Sequence, residues 1–177
     1  MTATQNPSSA TILPRDFERI FREHYEFVYR TARRITANAQ DAEDVLQTLF
    51  LRLLGRELPG DVKTNLRGYL YRATVNIALD VLRVRKRRSV EDGEEALDET
   101  PAHSPSRGEE EIAARLRDAL AELNPKAAEV LILRHVHGYS DKEIAKLLGT
   151  SRGTIAVSLF RARARLRKSI RGYLEKK

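Results

Sequence analysis

The chain has 177 residues and no cysteine, which excludes a disulfide framework, a cysteine-ligated zinc finger and a cysteine nucleophile. Leu, Ala, Arg and Glu are abundant and are strong helix formers, whereas Gly and Pro are scarce, so the composition predicts an all-α protein. The sequence has neither an apolar run long enough to span a membrane nor a signal core, and we therefore expect a soluble, cytoplasmic chain without membrane insertion.

Charge divides the chain into three segments. Residues 1–88 carry 16 Lys/Arg against 10 Asp/Glu, residues 89–111 carry 1 against 9, and residues 112–177 carry 15 against 6. Basic blocks favour phosphate backbones, and an acidic segment with two prolines and two glycines is typical of a linker. We expect a disordered tail (1–14), two small helical domains (15–88 and 112–177) and a flexible acidic linker between them (89–111).

The spacing of apolar residues predicts three helices in the first domain, beginning near Phe17, Asp41 and Leu66. A helical-wheel projection of the second helix predicts one buried apolar face, made of Ala42, Val45, Leu46, Leu49 and Leu53. Leu51 lies on the opposite face beside Asp44, Gln47 and Thr48. This leucine indicates either a surface for a partner or one of the single exposed leucines that are common in proteins.

The third helix has two apolar stripes and a narrow polar remainder. That remainder consists of Asn65, Tyr69, Arg72, Asn76, Arg83 and Arg87, with Asp80 at its edge. Amides, an aromatic ring and arginines in one row are suited to base edges, stacking and phosphates, so the row favours nucleic-acid contact. An ordinary solvated face is the alternative.

The second domain contains the signals of a helix-turn-helix. Asn124-Pro125 begins one helix, Ser140 and Glu143 have capping-box spacing, Gly149 suits a left-handed stop, and Ser151 caps a last helix that ends near Tyr173. The last helix turns Ile155, Leu159, Ala162 and Leu166 inward. Its outer face presents Arg152, Thr154, Val157, Ser158, Arg161, Arg165 and Lys168, which predicts insertion into the major groove.

These segments in this order resemble the extracytoplasmic-function (ECF) group of the sigma-seventy family of bacterial RNA polymerase sigma factors. The resemblance covers about residues 15–172 and is strongest over 41–54, 68–88 and 123–168. It implies a subunit that binds core RNA polymerase, directs promoter-specific initiation and has no catalytic chemistry, cofactor, metal or small-molecule ligand. It also implies an anti-sigma factor as a partner.

The resemblance gives each exposed row a role. The second helix matches the segment that docks on the polymerase β′ clamp, and its contact residues are Asp41, Asp44, Gln47, Thr48, Leu51 and Arg52. The third helix and the loop before it match the part that melts and reads the minus-ten element, with contacts from Lys63, Asn65, Tyr69, Arg72, Asn76, Asp80, Arg83 and Arg87. The last helix matches the reader of the minus-thirty-five element, in a domain that also touches the β flap; its residues are Ser151, Arg152, Thr154, Val157, Ser158, Arg161 and Arg165.

Two stretches depart from the family pattern. The loop 57–65 lacks the aromatic residues common in this group, so Lys63 and Asn65 are our substitutes for the pocket that receives an extruded base. Ala156 and Ser158 stand where relatives often carry Lys and Arg, which predicts weaker DNA binding with a flatter salt dependence. A bidentate base contact from Arg152 would compensate.

Three other functions compete with the sigma-factor hypothesis. Asp41, Glu43 and Asp44 suggest a metal-dependent nuclease, but helical spacing turns Glu43 and Asp44 about 100° apart and no third acid converges on them. His135 and His137 flank a turn, where packing or solvation is expected rather than metal binding. The remaining alternatives are a stand-alone helix-turn-helix regulator and a sigma mimic that sequesters an anti-sigma factor.

Overall fold

The computed structural model describes residues 9–11, 14–54, 57–59, 65–92 and 107–174. Within them, the helices of the first domain are α1 (Pro14–Thr36), α2 (Ala39–Leu54) and α3 (Leu66–Asp92). Those of the second domain are α4 (Arg107–Ala121), α5 (Pro125–His135), α6 (Asp141–Leu148) and α7 (Arg152–Leu174). The prediction of an all-α protein with two helical domains is confirmed.

Two short strands add to this helical fold. β1 (Ser9–Thr11) and β2 (Glu57–Pro59) pair antiparallel, with Ala10 opposite Leu58. β1 and the start of α1 at Pro14 fall inside the range 1–14, where we expected a disordered tail. The partner of β1 lies more than forty residues along the chain, and composition does not encode such a long-range pairing.

Helices reach into the expected linker from both sides. α3 continues to Asp92 because residues 89–92 contain neither Gly nor Pro, and it ends before Gly93. α4 begins at Arg107, two residues after Pro105. The rest of the expected linker, residues 93–106, lies outside the described residues.

In the first domain, α1, α2 and α3 pack against one another around one apolar core. From α2, the predicted core residues Ala42, Val45, Leu49 and Leu53 are buried, while Leu46 is half-buried. α3 is buried more widely than its two stripes predict, since Thr74 and Leu79 are also fully buried. The reason is that α3 packs against α1 and α2 on one side and against helices of the second domain on the other. The Thr74 hydroxyl donates to the Leu70 carbonyl at 2.7 Å, so its burial leaves no unpaired donor.

Local capping signals in the second domain form as the sequence predicts. The Asn124 side chain accepts from the Lys126 amide at the start of α5, with Pro125 as the first helical residue. Ser140 and Glu143 form a complete capping box on α6, and Gly149 ends that helix with φ 63°. The Ser151 hydroxyl accepts from the Thr154 amide at 3.1 Å and caps α7. These caps set the turn that orients α7 against α6.

The two domains pack together and share one continuous buried core. α3 contacts α4, α5 and α6, and the largest fully buried side chains include Tyr71 of α3 together with Ile132 and Leu133 of α5. None of the helices described is long and apolar enough to cross a membrane. In this structure, therefore, the two domains lie side by side rather than apart.

Candidate interfaces with polymerase and promoter DNA

The outer face of α2 exposes apolar side chains among polar ones. Leu51 is 65% exposed, and Leu54, three residues further on, is 51% exposed. Asp44, Gln47 and Arg52 are also exposed, and Thr48 is half-buried. Leu51 is thus not an isolated exposed leucine, because Leu54 is exposed one turn further along the same helix. The pair favours a docking surface over a chance exposure of one side chain. Our sequence reading missed Leu54, although its i, i+3 spacing from Leu51 is a visible signal.

Asp41, the first of the predicted polymerase contacts, has a structural role at the start of α2. Its amide donates to the Asn38 side chain at 2.9 Å, so Asn38 caps the helix. Its carboxylate lies 3.6 Å from the Arg85 guanidinium of α3. Asp41 is thus half-buried and bonded within the domain, whereas Asp44, Gln47 and Leu51 of the same helix are exposed.

The polar row predicted to read the minus-ten element lies along one side of α3; we call it the α3 row. Arg72, Asn76, Asp80 and Arg87 are exposed, whereas Asn65, Tyr69 and Arg83 are half-buried. Lys63 lies outside the described residues. Within the row, Arg83 pairs with Asp80 at 2.8 Å, and the Asn65 side chain accepts from the Gly68 amide at 3.1 Å, which caps α3.

Part of the α3 row bonds to backbone carbonyls of the second domain. The Asn65 amide donates to the Leu147 carbonyl at 2.7 Å, and Arg72 donates to the Leu148 carbonyl at 3.3 Å. Arg83 donates to the Ala121 carbonyl at 3.0 Å and to the Leu123 carbonyl at 3.4 Å. Sequence reasoning offered DNA or solvent as the surroundings of this row and missed these partners, which lie 38 to 82 residues away along the chain.

An ion pair beside the row extends the same contact. The Lys86 ammonium lies 2.5 Å from the Glu122 carboxylate at the end of α4. The hydrogen bond from Lys86 holds the pKa of the Glu122 carboxyl below its ordinary value, aided by the Ser169 hydroxyl of α7. Glu122 therefore links α3, α4 and α7.

Gly68 allows α3 to approach the end of α6 closely. A Cβ at this position would overlap the Leu147 carbonyl oxygen and crowd the Asn65 side chain. A larger residue would force a shift of backbone or side chain at this point, so the close approach explains the presence of glycine. The contact between the domains at this point depends on the missing side chain.

An aromatic cluster fills the middle of the interdomain contact. Its rings belong to Phe27, Tyr71, His137 and Tyr139, and the His137 ring meets that of Tyr71 edge-on at 5.8 Å and stacks on Tyr139 at 6.2 Å. The Arg67 guanidinium lies 4.7 Å from the centre of the Phe27 ring. His137 therefore packs, as we expected from its place beside a turn.

Burial shifts the pKa values of two members of this cluster, Tyr71 and His137, and of the neighbouring Glu129. It raises the pKa of Tyr71 well above its ordinary value and raises that of Glu129 to about 7, with Arg72 and Lys126 opposing the latter shift. It lowers the pKa of His137 to about 4, assisted by the charges of Arg34 and Arg67. At neutral pH the imidazole of His137 is therefore uncharged inside the interface.

The outer face of α7 is open, as a DNA-reading helix requires. Arg152, Thr154, Val157, Arg161 and Arg165 are exposed, and Ser158 is half-buried. Opposite them, Ile155, Leu159 and Ala162 are buried against the rest of the domain, which confirms the inward face. Ser151 and Thr154 share a hydrogen bond of 2.9 Å between their hydroxyls, so both contribute to the cap of α7.

Sequence reasoning missed one residue of this face. Phe160 is 74% exposed, a higher exposed fraction than that of Leu51. It stands three residues after Val157, and that spacing places the two side chains on the same side of α7. An outward aromatic at this spacing was the signal that could have identified it.

The described residues contain no group of three or more His, Asp or Glu side chains placed to hold a metal ion. Of the acids considered for a nuclease, Asp41 pairs with Arg85, while Glu43 and Asp44 are exposed. His135 lies 3.2 Å from the Arg163 guanidinium, whose charge adds to burial in lowering the pKa of the imidazole.

Comparisons with known proteins agree with this geometry. The Sigma-70 region 2 family matches residues 20–88, and the Sigma-70 region 4 family matches residues 113–166. The RNA polymerase sigma-E factor of Streptomyces coelicolor is 36% identical over 155 residues, which cover 88% of this chain and 86% of that protein. The RNA polymerase sigma factor CarQ of Myxococcus xanthus is 31% identical over 162 residues, covering 90% of this chain and 91% of CarQ.

A further relative is longer than this chain. The ECF RNA polymerase sigma factor SigE of Mycolicibacterium smegmatis is 33% identical over 155 residues, and the match spans 85% of this chain but 60% of SigE. Among solved structures, the sigma factor RpoE of Bartonella quintana, crystallised with the anti-sigma factor NepR, shares the fold with a TM-score of 0.50 at 21% identity, covering 89% of this chain and 98% of RpoE. The chain belongs to the ECF group of the sigma-70 family of RNA polymerase sigma factors.

Proposed function

We propose that this sigma factor docks on core RNA polymerase through α2, opens the promoter with the α3 row and reads the minus-thirty-five element with α7. One observation carries the proposal: a single chain exposes an apolar docking pair, Leu51 and Leu54, and separately the reading face of a helix-turn-helix. A stand-alone DNA-binding regulator has no need of the first surface.

The contact with polymerase is a protein–protein interface on α2. Leu51 and Leu54 form its apolar centre, and Asp44, Gln47 and Arg52 form a polar rim. An apolar centre surrounded by polar groups is the usual arrangement of such interfaces. By the family resemblance its partner is the β′ clamp, and the second domain meets the β flap.

The upstream element is read by α7 in the major groove. Arg152 at the start of the helix is suited to guanine, while Val157 and Phe160 are suited to the methyl groups of thymine. Arg161 and Arg165 lie further along the exposed face, where they would neutralise phosphates. The exposed side chains of Val157 and Phe160 favour contacts with bases in addition to the phosphate contacts of the arginines.

The downstream element is opened by the α3 row. Asn76 is exposed at the middle of the row and has an amide that can bond to a base edge, and Arg72 and Arg87 flank it with positive charge. Extruding a base from duplex DNA requires a few kcal/mol, which stacking and edge hydrogen bonds must offset. The polymerase supplies the bond-making chemistry, and this chain supplies none.

Because bacterial promoters and RNA polymerase are in the cytoplasm, we propose that this protein acts there. We propose that the two readers separate onto two promoter elements when the protein is bound to polymerase, while the chain between α3 and α4 keeps them joined. An anti-sigma factor remains a partner that the family membership supports.

The proposal is tested by pull-down and run-off transcription with purified bacterial core polymerase over a genomic fragment library. We expect transcripts that depend on this protein and that reveal both promoter elements. Binding to polymerase without transcripts from any fragment would favour a sigma mimic that sequesters an anti-sigma factor. Absence of polymerase binding by folded protein would favour the stand-alone regulator.

A pair of variants tests the division between the two readers. Arg161→Ala should weaken binding to upstream duplex DNA, whereas Asn76→Ala should impair promoter opening and leave upstream binding intact. Permanganate reactivity of unpaired thymines measures opening, and fluorescence anisotropy measures duplex binding. Equal losses of upstream binding in both variants would contradict this assignment.

A further inference from the structure

We infer that strand β1 belongs to the part of the chain that reads the minus-ten element: by pairing with β2 it fixes the point from which the chain enters α3, and so helps to select that element. The inference rests on the proposed function of the α3 row. The structure supports it through the register of the two strands, the position of β2 between two surfaces with proposed roles, and the short stretch of chain from β2 to α3.

The two strands meet because α1 and α2 already bring their ends together. Two residues separate β1 from α1, and two separate α2 from β2. The ring centre of Phe50 on α2 lies 6.0 Å from that of Phe17 and 4.8 Å from that of Phe21, both on α1. The start of α1 therefore lies against the end of α2.

The register of the strands continues the register of the helices. Thr11 of β1 stands opposite Glu57 of β2. Thr11 precedes Phe17 by six residues and Glu57 follows Phe50 by seven, so nearly equal lengths of chain join the ring contact to the strand pair on its two sides. Because the packing of the helices determines which strand residues face each other, the pairing is specific.

β2 lies between two surfaces with proposed roles. Leu54, of the pair proposed to dock on polymerase, is the last residue of α2 and stands three residues before β2. Asn65, the first residue of the α3 row, follows β2 after five intervening residues. Since an extended chain rises by at most about 3.5 Å per residue, the stretch from Pro59 to Asn65 spans no more than roughly 20 Å. The position of β2 therefore limits where the chain enters α3.

The far end of this stretch is held at α3. The Asn65 side chain accepts from the Gly68 amide at 3.1 Å and so caps the helix. In the sequence, the stretch contains Lys63, which together with Asn65 we expect to receive an extruded base, and residues 57–65 include no aromatic residue that could anchor them by packing. Backbone pairing with β1 supplies an anchor at the near end.

β2 needs this partner to keep its position. A strand of three residues gains order from its ladder of backbone hydrogen bonds, and without a partner its amides and carbonyls are left to solvent. Among the described residues the sheet has two strands, so β1 is the partner that β2 has there. Loss of β1 should release β2, whereas the contacts of Phe50 with Phe17 and Phe21 should keep the two helices packed.

The first test removes β1. A chain that lacks residues 1–11 loses the strand, whereas the control that lacks residues 1–7 keeps it. Each is assembled with core polymerase, and transcript yield is measured on a promoter found by run-off transcription and on versions with single base changes in the minus-ten element. Since one changed base commonly lowers specific binding by roughly tenfold, we expect discrimination against these versions to fall by about threefold or more without β1. The control should discriminate like wild type.

Two further measurements distinguish selection of the element from stabilisation of the fold. Binding to core polymerase should match wild type, because the Phe50 contacts hold α2 in place without β1. Discrimination against changes in the minus-thirty-five element should also match wild type, because α7 belongs to the second domain. Equal losses at both elements would overturn the inference, since β1 would then act on the fold alone. Wild-type discrimination at the minus-ten element in the chain without β1 would overturn it as well.

The second test locks the pairing and does not depend on the folding of a shortened chain. The chain has no cysteine, so Thr11→Cys with Glu57→Cys introduces two thiols on opposite residues. Opposite residues of antiparallel strands have Cβ atoms about 4.5–5.5 Å apart, a distance that a short bis-methanethiosulfonate reagent spans. We expect the bridge to form in folded protein, judged by intact mass, and the bridged holoenzyme to discriminate at the minus-ten element at least as well as the reduced one. Absence of the bridge, or loss of discrimination in the bridged protein, would contradict the inference.

These outcomes are separate from failure of the proposed function. If the wild-type chain gives no transcripts with core polymerase, the proposed function fails. If the wild-type chain discriminates at the minus-ten element and the loss of β1 changes nothing, only the role of β1 fails.

Discussion

The buried hydroxyl of Tyr71 donates a 2.9 Å hydrogen bond to the backbone carbonyl of Glu129, 58 residues away. This bond joins α3 to α5 across the contact between the two domains. It lies next to the edge-on contact of the Tyr71 ring with His137, so both the polar and the apolar parts of this tyrosine hold the interface.

Tyr71→Phe removes this bond and keeps the ring. We expect the free energy of unfolding to fall by about 1 kcal/mol, since a buried carbonyl loses a partner while packing is retained. Urea denaturation measures the change, with Tyr25→Phe as the control because Tyr25 is 47% exposed. An unchanged midpoint for Tyr71→Phe would show that the bond contributes nothing to stability in solution.

Two groups of the same interface give opposite dependences on pH. Burial raises the pKa of Glu129 to about 7 from an ordinary 4.5, so between these values the folded chain holds a proton that the unfolded chain has released. The Glu129 contribution to stability is therefore present below pH 4.5 and is lost as the pH rises through 7. Arg72 and Lys126 moderate this shift.

His137 acts in the other direction. Burial and the charges of Arg34 and Arg67 lower its pKa to about 4 from an ordinary 6.5, so the unfolded chain binds the extra proton in this window. Its contribution is present above pH 6.5 and is lost as the pH falls through 4.

Single variants separate the two contributions. Glu129→Gln should abolish the loss of stability between pH 4.5 and 7 and leave the rise due to histidine. His137→Gln should uncover a steady fall over the same range. Urea denaturation at closely spaced pH values measures each difference from wild type, and parallel curves for wild type and Glu129→Gln would show that this carboxyl titrates normally.

Local chemistry could be predicted from the sequence because its partners are close along the chain. Ser140 and Glu143 are three residues apart and form the predicted capping box, and Asn124 caps the helix that Pro125 begins. The outward position of Leu51 likewise follows from the period of one helix.

Contacts between distant segments could not be predicted in this way. The amide and guanidinium groups of the α3 row can donate hydrogen bonds to any partner that offers oxygen acceptors. Nothing in their spacing along the sequence distinguishes phosphates from the helix-end carbonyls to which they bond. For the same reason the burial of Glu129, an acid of the second domain that lies beside Tyr71 and Arg72 of the first domain, has no signal in the sequence.

The proposed docking surface on α2 gives a prediction about polymerase. Leu51→Ser with Leu54→Ser should weaken binding to core polymerase by about tenfold or more, because burying one leucine fully is worth about 1.5–3 kcal/mol. Stability should change by less than about 0.5 kcal/mol, since both side chains are largely exposed. Ile112→Ser on α4, where Ile112 is 48% exposed, is the matched control. Wild-type affinity in the double variant would rule out this face as the docking surface.

Two arginines on α7 allow a matched test of DNA contact. Arg161 lies on the exposed face that we assign to DNA, whereas Arg163 turns towards His135 of α5 and lies 3.2 Å from its imidazole. Arg161→Ala should weaken duplex binding across sequences and reduce the slope of log affinity against log salt by about one. Arg163→Ala removes the same charge from the same helix and should leave that slope almost unchanged.

Phe160 provides the uncharged counterpart of this comparison. Its ring is 74% exposed and shares the side of α7 that presents Val157, so Phe160→Ala should lower affinity for the upstream element without changing the salt slope. Anisotropy titrations on specific and scrambled duplexes over about 50 to 200 mM salt give both quantities. A loss on both duplexes alike would assign Phe160 to general packing against the backbone, and a loss on the specific duplex alone would assign it to base recognition. We expect the second result, because an aromatic ring carries no charge to exchange with counterions and gains most from apolar groups in the groove.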